Sequence, residues 1–156
     1  MIKKVDHIAI GVKNLQEARK KFEELYGAKF IIGKTNQEEN YRVAIFRVGE
    51  SIFSMLESTS PEGFVAKHIE RYGESIQHVG VEVDNIKNFV EHLLSKGVKT
   101  SGYKEIEGVR KEVLVGARNA FGIILQVFEW IGNYKEATPE ERMTKVWKNE
   151  SERKNT

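Results

Sequence analysis

The sequence predicts one α+β domain built from two copies of a βαβββ module. Two observations predict it. An alternating strand, an apolar helical stripe, a glycine stop and a strand pair follow one another in this order, and the same order returns about 70 residues later. The length of 156 residues, with 40% hydrophobic and 31% charged residues, is that of a single globular domain.

The first module begins with a strand at residues 5–12, whose side chains alternate between two faces and include His7. Asn14 is placed to cap a helix over residues 15–26, where apolar residues recur at helical spacing, and Gly27 ends that helix. Two apolar strands then form a predicted hairpin at residues 41–48 and 51–57.

The second module repeats this order with a strand at residues 77–83, a cap at Asp84 or Asn85, and a helical stripe from Ile86 to Leu94. A loop and a second strand pair, residues 112–115 and 123–129, complete it. Aligning the copies gives three equivalent pairs that matter below: His7 with His78, Ser54 with Gln126, and Glu57 with Glu129. Equivalent positions of an internal repeat are expected to be related by a pseudo-twofold axis.

The modules are expected at about residues 3–57 and 76–131, within a domain of residues 3–131. Residues 58–75 read as a linker with a short helix between them. In the last part, residues 132–156, Thr138-Pro139-Glu140-Glu141 has the form of a capping box, followed by one apolar helical face of Met143, Val146 and Trp147. This helix is predicted to dock on the domain or on a partner subunit.

Composition excludes several classes of function. Without cysteine there is no thiolate metal site and no cysteine nucleophile. The net charge of +2 comes from interspersed residues, 25 basic and 23 acidic, whereas nucleic-acid binders usually concentrate basic residues on one face. No apolar run approaches the roughly 20 residues that cross a bilayer, and no secretion signal is recognised, which predicts a cytoplasmic protein.

The repeat predicts a metal or ligand site formed by His7, Ser54, His78 and Gln126. Imidazole is a strong ligand for zinc, cobalt, nickel and iron, and amide or hydroxyl oxygens can complete such a site. Ser54 and Gln126 are polar residues within apolar strands, where an unpartnered group would cost about 1–3 kcal/mol. The alternative is that each histidine is an ordinary buried residue bonded to the backbone.

The other polar candidates receive simpler interpretations. His68 and His92 lie in helical segments without repeat partners, so a solvated or partly packed role is expected. Glu57 and Glu129 are out of phase with the predicted ligands, and exposed strand ends are expected for them. The loop at residues 108–111, which contains Arg110, could hold an anionic substrate tail, although a solvated basic loop is the favoured interpretation.

Over residues 3–131 the chain resembles the vicinal oxygen chelate superfamily, which includes glyoxalases, bleomycin resistance proteins and dioxygenases. Within it, methylmalonyl-CoA epimerases look most similar, with glyoxalase I a more distant relative. Four stretches carry the resemblance: residues 6–10 (DHIAI), 66–69 (AKHI), 73–86 (GESIQHVGVEVDNI) and 122–129 (GIILQVFE).

The resemblance implies two βαβββ modules pairing around a central cavity, with a divalent metal such as Co, Zn, Ni or Mn. The ligand positions map onto His7, Ser54, His78 and Gln126. Relatives usually carry Glu or Gln at the position of Ser54, and a metal-binding Glu that can act as a base at that of Gln126. This chain therefore lacks the carboxylate ligands, so low metal affinity is expected, and loss of the metal in this lineage is the alternative.

The resemblance implies an epimerase or isomerase that removes a proton next to a carbonyl group of a small acid or acyl-CoA. Glu39 is the candidate proton acceptor, with the adjacent Glu38 as an alternative, and Gln126 occupies the second catalytic position. Competing functions are a non-catalytic binding or resistance protein, a glyoxalase I-like lyase and an Fe(II) oxygenase. A small-molecule ligand and a homodimer are expected in each case.

Overall fold

The computed structural model describes residues 1–145 of the chain, which form an α+β fold with an eight-stranded sheet, as the sequence predicts. Residues 139–145 are also helical. The strands are β1 (Ile2–Gly11), β2 (Lys29–Asn36), β3 (Tyr41–Val48), β4 (Ser51–Ser58), β5 (Ser75–Val83), β6 (Ser101–Ile106), β7 (Arg110–Val115) and β8 (Ile124–Trp130). The α-helices are α1 (Leu15–Tyr26), α2 (Phe64–Tyr72) and α3 (Ile86–Ser95).

The strands follow the order β2-β3-β4-β1-β5-β8-β7-β6 in the sheet. The chain forms two compact units. One, here the His7 unit, comprises His7–Gln77 and residues 139–145; the other, the His78 unit, comprises Met1–Asp6 and His78–Thr138. Strands β1 and β5 each contribute residues to both units, because the unit boundaries fall within them.

In the His7 unit, β3 pairs antiparallel with β2 and β4, and β4 pairs parallel with β1. Helix α1 covers one face of these strands, where a cluster around Phe46 and Met55 packs against Phe22. Asn14 caps the helix by accepting a hydrogen bond from the amide of Glu17, as its sequence position predicts.

Residues 139–145, here the C-terminal segment, pack on the same unit. Met143 is 5% exposed and belongs to a core cluster with residues of β1, β3 and β4, and Glu140 forms an ion pair with Arg47. The predicted docking of a terminal helix on the domain is therefore observed for Met143. Val146 and Trp147, predicted on the same helical face, lie outside the described residues.

In the His78 unit, β8 pairs parallel with β5 and antiparallel with β7, and β6 pairs with β7. Helix α3 covers one face of these strands through Ile86 and Phe89, which belong to one core cluster with five buried valines. Asn85, rather than Asp84, is the N-cap, since its side chain accepts a hydrogen bond from the amide of Asn88.

Strands β2 and β6 are not predicted by the hydrophobic pattern. Both have largely exposed or half-exposed side chains and lie at the two ends of the strand order. An edge strand is held mainly by its backbone hydrogen bonds to one neighbour, so its side chains need not alternate between apolar and polar. Among residues 1–145, no helix is both long enough and apolar enough to span a membrane.

Candidate functional site

His7 and Ser54 lie on the same face of the sheet in the His7 unit. Ser54 on β4 is paired with Ala9 on β1, and His7 is two residues before Ala9, so alternation directs both side chains away from α1. Both are buried, at 5% and 6% exposure. Ile45 on β3 also pairs with Ser54, which surrounds the hydroxyl with apolar neighbours.

His78 and Gln126 occupy the equivalent face of the His78 unit. Gln126 on β8 lies between Gly80 on β5 and Leu114 on β7, and His78 is two residues before Gly80 on the same strand face. Unlike their repeat partners, His78 and Gln126 are only partly buried. Assembly of the four predicted ligands about one metal stays a prediction.

A buried carboxylate stands beside Gln126, and the sequence analysis did not single it out. Glu112 on β7 pairs with Phe128 on β8 and is 7% exposed. The amide Nε2 of Gln126 donates a long hydrogen bond of 3.5 Å to Glu112 Oε1. The signal in the sequence was available: Glu112 is two residues before Leu114, the strand partner of Gln126, and therefore shares its face.

Arg110 is part of the same cluster and does not lie in a solvated loop, so that expectation was wrong. Its Nη2 lies 3.0 Å from Glu112 Oε2, and its guanidinium stacks over the rings of Phe128 and Trp130 at 4.8 and 5.6 Å. The expectation failed because residue 110 begins strand β7, whose pairing with Trp130 turns the side chain toward the sheet face.

The Arg110–Glu112 pair keeps hydrogen-bonding capacity that residues 1–145 do not use. Glu112 Oε2 and Arg110 Nε are buried without a hydrogen-bond partner, although the two side chains are close enough to form an ion pair. The short contact is therefore electrostatic rather than an aligned hydrogen bond. Buried polar atoms of this kind call for a partner such as a water molecule or a ligand.

The predicted proton acceptor Glu39 lies in the turn between β2 and β3, within the His7 unit. Its amide donates to Asn36 Oδ1 at 3.0 Å, and its carboxylate accepts from Asn36 Nδ2 at 3.4 Å. The side chain is partly buried. These contacts stabilise the turn, and a role for Glu39 in catalysis stays a prediction.

Glu57 and Glu129 are helix caps, not exposed strand ends, so the expectation for them was wrong. Glu57 Oε2 accepts a hydrogen bond from the amide of Leu15 at 3.0 Å, and Glu129 Oε2 accepts one from the amide of Ile86 at 2.8 Å. Each carboxylate thus satisfies a free amide at the start of its module's helix. The strand that carries it runs beneath that helix, which the periodicity alone did not reveal.

His68 on α2 is half-buried, and His92 on α3 is exposed. His68 Nε2 and Ser75 Oγ are 2.9 Å apart, and the imidazole packs against Tyr72. Burial lowers the pKa of His68, while a hydrogen bond at the backbone of Ser75 acts in the opposite direction. These contacts join the end of α2 to the start of β5.

A cavity of about 550 Å³ in the His7 unit lies on the α1 side of the strands and contains none of the predicted site residues. Two of the cations that line it are already engaged. Arg19 stacks on Phe30 and pairs with Glu23, and Arg42 binds Glu57 at 2.8 Å. This cavity is therefore not the predicted site.

The side chains predicted to bind a metal do not form a metal centre with carboxylate ligands. Among residues 1–145, no group of three or more histidine and carboxylate side chains is arranged to hold a metal ion. Ser54 and Gln126 are neutral, so neither supplies the anionic ligand that offsets a divalent charge. The described residues do not fit the carboxylate-bearing centre that the resemblance implies.

Comparison with known proteins identifies the family. The model of the Glyoxalase/Bleomycin resistance protein/Dioxygenase superfamily matches residues 6–113, more than half of the chain. The chain belongs to this superfamily. One relative is the uncharacterized protein YqjC of Bacillus subtilis (strain 168). It is 22% identical to this chain over 128 residues, which are 81% of this chain and 91% of the relative.

Solved structures confirm the glyoxalase-like fold. The hypothetical protein BH1468 from Bacillus halodurans C-125 is 23% identical, with a TM-score of 0.74 over 83% of this chain and 96% of its own. Methylmalonyl-CoA epimerase from Mycobacterium tuberculosis is 18% identical, with a TM-score of 0.74 over 87% of this chain and 93% of its own. A Streptomyces coelicolor methylmalonyl-CoA epimerase in complex with 2-nitronate-propionyl-CoA is 17% identical, with a TM-score of 0.74 over 85% of this chain and 100% of its own. At these identities the likeness establishes the fold alone.

Proposed function

We propose that this superfamily member transfers a proton at the carbon next to a carbonyl group, acting as an epimerase or isomerase on a small acid or its coenzyme A thioester. The observation that carries the proposal is the buried carboxylate of Glu112, on the same sheet face as Gln126 and His78. It supplies the proton acceptor that Gln126 cannot provide, because an amide does not take a full proton at neutral pH.

The side chains around Glu112 suit the charge changes of such a reaction. When the proton leaves the carbon for Glu112, the electron pair of the broken C–H bond moves onto the carbonyl oxygen as an enolate. The free Nε–H of Arg110 is a donor for that oxygen, and a fixed donor in a buried site stabilises developing charge. Phe128 and Trp130 hold the guanidinium in place by stacking.

Inversion at the carbon requires a second group that returns a proton to the opposite face of the substrate. Glu39 stays the candidate predicted from the sequence for that role. Glu112 and Arg110 by themselves account for exchange of the substrate proton with solvent. Since the described donor set does not fit a carboxylate-bearing metal centre, these steps are assigned to protein side chains.

The substrate class is proposed from the structural neighbours. Two of the three solved structures described above are methylmalonyl-CoA epimerases, and one of these is in complex with 2-nitronate-propionyl-CoA. A divalent metal, a homodimer and a cytoplasmic location also stay predictions, which metal analysis of the purified protein, light scattering and cell fractionation would test.

Solvent exchange provides the direct test. The protein is incubated with methylmalonyl-CoA or propionyl-CoA in deuterium oxide, and loss of the proton next to the carbonyl is followed by NMR. Glu112→Gln, which keeps the shape and removes the basicity, should slow exchange by about 100-fold or more. Glu105→Gln makes the same change on the exposed strand β6 and should leave exchange unaltered.

A second candidate, non-catalytic binding of a small molecule, is favoured by the neutral side chains of Ser54 and Gln126. Titration calorimetry on the same samples separates the two functions. Binding of the thioester without exchange in the wild type would support a binding protein and exclude the proposed proton transfer for that substrate. Exchange that survives in Glu112→Gln would remove Glu112 from the mechanism.

A further inference from the structure

The two units differ in how well they cover the sheet face that bears their repeat-equivalent polar residues. In the His7 unit, His7 and Ser54 are buried, whereas His78 and Gln126 in the His78 unit are only partly buried. Because the strands of the two modules follow the same order, strand pairing alone does not account for the difference. The His7 unit, however, also contains the C-terminal segment.

The C-terminal segment packs on the face that bears His7 and Ser54. Met143 belongs to one cluster with buried residues that strand register places on that face, away from α1. From the strands, these are Ala9, Val43, Ile45, Ile52 and Leu56. The cluster also includes Val65 of α2, so the face is covered by two elements, of which only the C-terminal segment lies near the end of the described chain.

An exposed ion pair joins the segment to the edge of the same face. Arg47 pairs with Ile52, and its Nε lies 2.6 Å from Glu140 Oε1. Glu140 and Met143 are three residues apart on a helix, so they project from the same side of it. The segment thus presents a carboxylate to Arg47 and an unbranched apolar chain to the aliphatic cluster.

We propose that the C-terminal segment is a removable cover over a binding face for an aliphatic carboxylic acid or acyl group, with Met143 limiting access to His7 and Ser54. When the segment is displaced, the face offers aliphatic side chains, a cation at Arg47 and the polar groups of His7 and Ser54. The acyl class of the ligand rests on the proposed function, whereas the covering rests on the packing alone.

The covering is tested by the reactivity of His7 toward diethyl pyrocarbonate, located by peptide mass spectrometry. In the wild type, His7 should react slowly relative to the exposed His92. Met143→Ala should speed the reaction at His7 by about tenfold or more. The packing free energy lost when a buried methionine is replaced by alanine usually exceeds the roughly 1.4 kcal/mol that a tenfold change represents. Neither measurement depends on enzymatic activity.

Met55→Ala is the matched control, because Met55 is buried to the same extent, at 6% against 5% exposure, but packs beneath α1 on the opposite face. It should lower the melting temperature comparably while leaving the reactivity of His7 near the wild-type value. If Met143→Ala and Met55→Ala change His7 reactivity equally, or neither changes it, the C-terminal segment is ordinary core packing and not a cover.

Hexanoate serves as the probe for the ligand class. Titration calorimetry should show about tenfold tighter binding to Met143→Ala than to the wild type, and no gain in Met55→Ala. Faster modification of His7 in Met143→Ala with equal hexanoate affinity in all three proteins would support the covering role of the C-terminal segment. It would exclude an aliphatic acid or acyl group as the ligand of this face. Failure of the solvent-exchange test would affect neither result.

Discussion

Glu129 Oε2 accepts a hydrogen bond of 2.8 Å from the backbone amide of Ile86, the first residue of α3. Glu57 makes the equivalent contact with Leu15, the first residue of α1, at 3.0 Å. In both modules, a carboxylate near the end of the last strand therefore binds the start of the module's own helix. The pair of contacts explains why two acidic residues are retained at equivalent positions of the repeat.

Glu129→Ala should lower the free energy of unfolding by about 1–2 kcal/mol, because a buried amide loses its acceptor and the helix loses an anion at its N-terminus. Glu57→Ala should cost less, since its bond to Leu15 is only part-buried and its ion pair with the exposed Arg42 contributes little. Urea denaturation measures both. Equal stabilities for Glu129→Ala and the wild type would mean that the cap contributes nothing to the fold.

Arg110→Met should destabilise the protein by about 3 kcal/mol, because it leaves the carboxylate of Glu112 buried without its cation. Replacing both partners, in Arg110→Met with Glu112→Leu, should recover most of this loss. Chemical denaturation of the two single variants and the double variant measures the coupling. A double variant as unstable as the sum of the singles would show that the ion pair is not a unit.

Gln126→Glu should create divalent-metal binding in the His78 unit, because it places a second carboxylate beside Glu112 on the face that bears His78. Without metal, the two neighbouring carboxylates should repel and lower the melting temperature. Calorimetry with Zn²⁺ and Co²⁺, and melting with and without metal, test this. Gln77→Glu, the same exchange at a buried glutamine of β5, is the control and should not gain metal affinity.

The stability of the protein should fall at mildly acidic pH partly because of His68. Burial holds the pKa of His68 below its ordinary value of 6.5, so the unfolded chain takes up the proton more readily than the folded protein. The contribution of this histidine is present above about pH 6.5 and is lost as the pH falls through the folded pKa. Urea denaturation of the wild type and of His68→Gln at several pH values measures it.

The wild type should lose more stability than His68→Gln as the pH falls from about 7.5 to about 5. Ser75→Ala, which removes the side-chain contact and keeps the imidazole, serves as the control and should retain a pH dependence. Parallel profiles for the wild type and His68→Gln would show that His68 does not titrate in this range.

Helices and buried strands were predictable from the sequence because their buried apolar residues recur with the period of the helix or strand. The limits of α1 and the cap at Asn14 follow from a helical stripe, a polar residue before it and a glycine after it. Strands β2 and β6 were missed because their largely exposed side chains show no such periodic pattern. The family was recognised from short motifs whose residue types are constrained by the fold.

Sequence alone determined the α+β class, the repeat, the superfamily and the equivalence of His7 with His78 and of Ser54 with Gln126. The tertiary structure decided which side chains stand next to these residues. Register between β7 and β8 brought Glu112 and Arg110 to the face of Gln126, and packing laid Met143 on the face of Ser54. The local sequence pattern shows the period of each helix or strand. Which residues become neighbours across strands, or through packing of a distant segment, depends on strand register and tertiary packing, which no local pattern encodes.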